Sequence, residues 1–83
     1  MELTEEIKTS LRREYSFCFN AIAFYEKATK DFEKKYHLST EIFLKQFEAG
    51  KMGDDADFFD WYAFAKFLDQ WQKTQSVLHS ALQ

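Results

Sequence analysis

The chain has 83 residues, of which 46% are hydrophobic and 30% are charged, and it contains no Pro and only two Gly. This length favours a single domain over residues 1–83, and this composition excludes a disordered, collagen-like or linker-rich chain. Aromatic residues make up 19% of the sequence, as ten Phe, four Tyr and two Trp. A compact domain of this size buries only about 64% of its unfolded surface, so these rings compete for a small core.

Charge is unevenly distributed along the chain, whose formal net charge is −3. Residues 1–36 carry seven cationic and seven acidic side chains, whereas residues 37–83 carry four cationic and seven acidic ones. The sequence therefore lacks the basic surface of a nucleic-acid-binding protein and fits a basic protein partner better.

Three features indicate a cytoplasmic protein. The longest uncharged stretches are residues 15–25 and 74–83, and both are shorter than the roughly 20 apolar residues of a membrane span. The first residues are acidic, unlike the basic start of a secretory signal. Cys18 has no second cysteine with which to form an intrachain disulfide. We therefore expect no contact with a membrane and no direct contact with nucleic acid.

A long first helix is predicted over residues 4–36. From Leu11 to Tyr36, apolar side chains recur at alternating steps of four and three residues, interrupted only at Thr29. This spacing places them on one face of a helix. At 1.5 Å per residue, such a helix is roughly 50 Å long.

Two further helices are predicted, over residues 40–49 and 56–81. Ser39 is a favourable N-cap for the second helix, and Gly50 stands where a left-handed residue commonly ends a helix. The third helix repeats the alternating three- and four-residue spacing from Trp61 onward. Its N-cap can come from any of three acidic residues, Asp54, Asp55 or Asp57.

These elements predict an all-α fold. The stretches 11–36 and 57–82 have equal lengths, so helices 1 and 3 most simply form a long antiparallel hairpin. The short middle helix caps the closed end of this hairpin. The first ten residues then project beyond the hairpin or pack against another chain.

The middle of the first helix is apolar on more than one side. Phe17, Ala21, Phe24 and Ala28 form a second line beside the main stripe, and Phe19 begins a third. A helix that is apolar all round is normally buried all round. This favours a two-fold dimer, a four-helix bundle, over a monomer with exposed rings. The predicted dimer interface consists of Tyr15, Phe17, Phe19, Ile22 and Phe24.

Acidic and aromatic residues alternate in the segment 50–61, which is termed the acidic turn. One interpretation is structural, with an acidic N-cap followed by rings that turn into the end of the hairpin. The other is a recognition surface, with carboxylates facing a cationic pocket of a partner and a ring as the anchor. The residues predicted to bind a partner are Asp54, Asp55, Asp57, Phe58, Asp60 and Trp61.

The sequence gives little support for catalysis or metal binding. The acidic cluster lacks the spacing of an EF-hand loop, and no second acidic motif completes a metal site. His37 and His79 belong to opposite ends of the predicted hairpin, and Cys18 lies on the apolar stripe as a small hydrophobic side chain. We therefore expect no enzyme activity, no metal ion and no cofactor.

Three segments carry a resemblance to a known group of proteins. They are Leu-Ser-Thr-Glu-Ile-Phe at 38–43, Phe-Glu-Ala-Gly at 47–50 and Met-Gly-Asp-Asp-Ala-Asp-Phe-Phe-Asp-Trp at 52–61. Through them, residues 25–71 resemble small helical prokaryotic antitoxin-type proteins encoded beside small toxins. The resemblance implies that this protein binds and masks a basic toxin encoded beside it, and that the acidic turn makes the contact. The alternative is a small homo-oligomeric helical scaffold or regulator with an unrelated protein target.

Overall fold

The computed structural model describes residues 3–83 and contains three helices in that range. They are α1, Glu5–Tyr36, α2, Thr40–Glu48, and α3, Ala56–Leu82. The predicted all-α class is confirmed, and each helix begins and ends within one residue of its predicted position. No helix among these residues is long and apolar enough to cross a membrane.

Side-chain caps define where the helices start. Thr4 accepts a hydrogen bond from the backbone N–H of Ile7 at 3.2 Å, and Ser39 accepts one from Ile42 at 3.2 Å. Of the three acidic residues that could cap α3, Asp55 is the one that does so, accepting from the N–H of Asp57 at 2.8 Å. Each cap satisfies an amide that has no partner within its own helix.

The chain reverses direction where residues adopt the left-handed conformation. His37 follows α1 with φ 52°, and its N–H donates to the carbonyl of Glu33. Gly50 and Gly53 have φ of 74° and 83° in the connection between α2 and α3. Glycine tolerates this conformation because it has no Cβ. The predicted role of Gly50 just after α2 is therefore confirmed.

Helices α1 and α3 pack against each other as an antiparallel hairpin. Near its closed end, the ring of Tyr36 lies 5.1 Å from that of Phe58. Near its open end, the ring of Tyr15 lies 5.9 Å from that of His79. The molecule measures 50 × 21 × 17 Å, and its radius of gyration is 16.4 Å, against about 12 Å for a compact domain of this length.

The buried core of this elongated hairpin is small. Its buried residues are Cys18, Thr29, Phe43, Trp61 and Ala65. Thr29, which interrupts the apolar stripe in the sequence, has its hydroxyl 3.0 Å from the carbonyl oxygen of Tyr25 and 3.1 Å from that of Glu26. This polar group is therefore satisfied within its own helix, and it enters the core without an unpaired donor.

Candidate functional site

Trp61 forms the centre of the closed end of the hairpin. Its side chain is fully buried. The ring of Phe43 stacks on it with the centroids 3.9 Å apart and the planes 3° from parallel. Its Nε1–H donates to the Thr40 hydroxyl at 3.0 Å. Trp61 was predicted to contact a partner, but in the single chain its ring is enclosed by α2 and by Phe32 of α1.

Asp57 joins the two long helices at this closed end. One of its carboxylate oxygens, Oδ2, accepts hydrogen bonds from Lys35 Nζ and from the Tyr36 hydroxyl, both at 2.5 Å. The hydrogen bonds from Lys35 and Tyr36 lower the pKa of the Asp57 carboxyl. The same contacts raise the pKa of Lys35 and of Tyr36, because each donates to the Asp57 carboxylate. Asp57 therefore has a structural partner within the chain.

Replacing Asp57 by Asn is expected to lower the melting temperature at pH 7. A carboxyl whose pKa is lowered by folding stabilises the folded state above its unfolded pKa and loses this effect as the pH falls. The difference between wild type and variant should therefore shrink below about pH 4. Thermal melts followed by circular dichroism from pH 7 to pH 2.5 measure it. Asp54→Asn, at an exposed acid without an ion pair among residues 3–83, is the matched control. A difference that stays constant with pH contradicts this role.

The rest of the acidic turn is divided between internal contacts and exposed side chains. Asp55 caps α3, and Phe58 is half-buried against Tyr36. Asp54 and Asp60 are exposed. Beside them, Phe59 is 53% exposed and lines a cavity of about 200 Å³ with Phe47, Met52 and Asp54. Of the six residues predicted to bind a partner, Asp54 and Asp60 are thus the ones free to face it.

A second surface, termed the uncovered face, runs along the middle of the hairpin. It consists of six uncharged side chains, Phe17, Ala21, Phe24 and Ala28 of α1 with Phe64 and Phe67 of α3. Phe17 is 53% exposed, Phe24 is 61% exposed and Phe67 is 44% exposed. The ring of Phe24 lies 6.2 Å from that of Phe64, so the side chains of α1 and α3 form one continuous surface.

Helix α2 packs on the opposite side of the hairpin. There Glu33 of α1 accepts a hydrogen bond from the backbone N–H of Thr40 at 2.7 Å. Glu26 lies two turns before Glu33, on the same side of α1, and Phe24 precedes Glu26 by two residues. Two residues correspond to about 200° around a helix. Phe24 therefore points away from α2, and the same spacing separates Phe67 from Asp69 on α3.

The side that faces α2 differs in character. It contains a groove of about 360 Å³ between the three helices. Leu44 and Leu68 provide part of its apolar lining, whereas Glu26, Glu33 and Asp69 contribute carboxylates. The α2 side thus carries these three carboxylates, whereas the six side chains of the uncovered face are uncharged and are bordered by the Lys27–Asp31 ion pair.

The five predicted dimer-interface residues do not share one surface. Phe17 and Phe24 lie on the uncovered face. Tyr15 and Ile22 are half-buried towards α3. Phe19 is 53% exposed, but it lies two residues from Phe17 and hence on the other flank of α1. A single flat interface can include Phe17 and Phe24 but not Phe19.

Phe64 and Phe67 belong to the uncovered face and were not among the residues predicted to form an interface. Phe64 lies on the apolar stripe of the third helix, which favours a place in the core. Phe67 lies three residues beyond Phe64 and off that stripe. An aromatic residue that lies off the apolar stripe of a helix is therefore the sequence signal for a candidate interface.

The candidate reactive groups of residues 3–83 are the cysteine and the side chains of the metal-ligating types. No three His, Cys, Asp or Glu side chains within residues 3–83 come together as metal ligands. Burial raises the pKa of the Cys18 thiol, and the nearby Glu14 carboxylate raises it further. A thiol with a raised pKa is a poor nucleophile at neutral pH. His79 lies 3.3 Å from the Tyr15 hydroxyl at the open end of the hairpin.

Similarity to known proteins adds no argument about function. Comparisons with protein-family models, curated proteins and solved structures find no match for this chain. The function is therefore argued from the two surfaces described above.

Proposed function

We propose that this protein is a non-catalytic protein-binding module that self-associates into a dimeric four-helix bundle. The observation that carries the proposal is the uncovered face, on which aromatic side chains stay exposed along both long helices. Apolar helix faces are stable in water when a second layer of structure covers them. Helix α2 packs on the other side of the hairpin, so a second copy of the hairpin supplies this layer.

The size of the uncovered face fits a stable interface. Phe17, Phe24 and Phe67 together expose about 300 Å² of ring surface, given their exposed fractions and roughly 200 Å² for each side chain. This matches the largest apolar patch of an ordinary monomer, which is often functional. A standard interface needs about 800 Å² per partner, so the proposed interface extends beyond these rings over the side of the hairpin, which measures 50 × 21 Å as a whole.

The surface of the isolated hairpin supports the same proposal. The chain exposes 6138 Å² to solvent, whereas a compact 10 kDa domain exposes about 5,200 Å². The excess is expected for an elongated protomer that packs along its length against another one. A dimer that buries a standard interface brings the exposed area per chain down to the range of compact proteins.

The molecular mass in solution tests the proposal. We expect about 20 kDa, twice the chain mass of 10.0 kDa, at micromolar concentrations. A single 10 kDa species at these concentrations contradicts self-association.

The exposed part of the acidic turn favours a second candidate function, the binding of a basic protein. Asp54 and Asp60 form no ion pair with any other residue in the range 3–83, and Phe59 is half exposed beside them. Carboxylates around an exposed ring suit a cationic partner surface. An antitoxin-like role, in which the protein masks a toxin encoded next to it in the cytoplasm, fits this chemistry. A scaffold or regulator with an unrelated target remains the alternative.

Co-expression with the adjacent open reading frame tests the antitoxin-like role. The neighbour is expected to co-purify with the tagged wild-type chain and to lose its toxicity. The double variant Asp54→Lys, Asp60→Lys should release it, whereas Glu5→Lys, Glu6→Lys, with the same charge change at the far end of α1, should not. A neighbour that neither co-purifies nor becomes harmless contradicts the antitoxin-like role and favours the scaffold or regulator.

A further inference from the structure

We infer that two copies pair through the uncovered face with their long axes reversed, so that the closed end of each hairpin lies beside the open end of the other. This inference rests on the self-association proposed above and adds the surface and the orientation. Its evidence is the order of large and small side chains along α1.

The order of large and small side chains on α1 is complementary to itself when reversed. Phe17, Ala21, Phe24 and Ala28 follow one another at steps of four, three and four residues. If a second α1 runs in the opposite direction, with the two-fold axis between Ile22 and Ala23, Phe17 lies opposite the partner's Ala28. Ala21 then lies opposite the partner's Phe24. Each ring faces a methyl group, which allows the two helices to interdigitate without steric overlap.

One pair of opposite charges suits this orientation. Arg13 precedes Phe17 by one turn, and Asp31, which also pairs with Lys27 at 3.0 Å, follows Phe24 by two turns. Lys35, which pairs with Asp57, lies one turn beyond Asp31 on the same line. Reversal places Arg13 beside the partner's Asp31, and the two-fold axis repeats this contact. Opposite charges at the rim of an interface fix its register.

The other two-fold arrangement brings both like and opposite charges together. With both closed ends on the same side, α1 lies against α3 of the second copy at the same level. Asp31 and Asp60 occupy the same level of the hairpin, because Phe32 stacks on Trp61 with the ring centroids 5.7 Å apart. Asp31 then faces the partner's Asp60, whereas Lys35 faces the partner's Asp57, because Lys35 and Asp57 occupy the same level of each hairpin. The charges of this arrangement therefore offset one another, and the choice of orientation rests on the order of large and small side chains.

Distances between identical spin labels in the dimer distinguish the two orientations. Cys18→Ala removes the natural thiol, with Cys18→Val in its place if the first variant lacks the helical circular dichroism of the wild type. Lys51→Cys then places a label near the closed end, and Gln70→Cys places one near the middle of α3, on the side away from α1. Double electron–electron resonance measures the label–label distance in each variant, and light scattering of the same samples gives the mass.

The reversed dimer predicts a Lys51 distance of roughly 40 Å or more, from the 50 Å length of the hairpin and a rise of about 1.5 Å per residue. It predicts a Gln70 distance below about 30 Å, since the middle of each hairpin lies near the two-fold axis. A dimer with short distances at both positions, or a long distance at Gln70, overturns the orientation and leaves self-association intact. A monomer of 10.0 kDa overturns both.

Discussion

Replacing Phe17 by Asp is expected to convert the proposed dimer into folded monomers. Phe17 lies on the uncovered face and is 53% exposed in the single hairpin, so its replacement leaves the core of each chain intact. In the dimer, each copy of the variant would bury an unpaired carboxylate, at a cost of about 3 kcal/mol or more. Two such groups weaken the dimer by a factor of at least about 10,000. Sedimentation velocity over a dilution series measures this shift.

Phe19→Asp is a closely matched control for this experiment. Phe19 has the same exposed fraction, 53%, and lies in the same helix two residues away. The loss of helix propensity is therefore similar in the two variants. Phe19 points to the other flank of α1, so its variant should remain a dimer. If Phe19→Asp dissociates the dimer and Phe17→Asp does not, the interface lies on the flank of α1 that carries Phe19. That result contradicts an interface on the uncovered face.

Truncating Trp61 to Ala is expected to destabilise the protein by about 3–5 kcal/mol, the range for a fully buried aromatic residue. The ring is completely buried and stacks on Phe43, so its loss leaves a cavity between α2 and α3. A chain of this size is stable by only about 4–12 kcal/mol. The variant is therefore expected to be partly or fully unfolded at 37 °C. Urea unfolding at one fixed protein concentration measures the change, since the stability of a self-associating chain depends on its concentration.

Trp61→Phe separates the two contributions of this residue. Phenylalanine keeps an aromatic ring against Phe43 and removes the hydrogen bond from Nε1 to Thr40. The free energy of unfolding should fall by less in Trp61→Phe, about 1–2 kcal/mol, because this variant loses one hydrogen bond and part of the side-chain volume. If Trp61→Ala is as stable as the wild type, the ring does not hold the closed end together. That result would return Trp61 to the set of residues available to a partner.

Local signals predicted most of the fold. The three- and four-residue spacing of apolar side chains defined α1 and α3. Ser39 and Gly50 marked the ends of α2 through side-chain capping and a left-handed backbone. These features depend on residues close together in the chain, so they can be recognised without knowledge of the tertiary structure.

The contacts of the acidic turn could not be predicted in the same way. The apolar spacing placed Trp61 on the stripe of the third helix, which indicates burial, but its acidic neighbours suggested a partner surface. The contacts that decide the matter come from α2, about twenty residues earlier, where Phe43 and Thr40 enclose the ring. Asp57 likewise meets Lys35 and Tyr36, which are distant in sequence.

The uncovered face was partly visible in the sequence. The excess of rings on α1 indicated that one hairpin could not bury them all, and Phe17 and Phe24 were assigned to an interface for this reason. The side on which α2 packs is a tertiary feature. It distinguishes the two flanks of α1, on which Phe17 and Phe19 are equally exposed, at 53% each.

Sedimentation equilibrium of the unmodified chain tests the central claim most directly. The account predicts a species of about 20 kDa, twice the 10.0 kDa of one chain, which dissociates only at high dilution. A mass of 10.0 kDa that stays constant from nanomolar to hundreds of micromolar contradicts it. In that case the exposed rings of the uncovered face belong to a monomer.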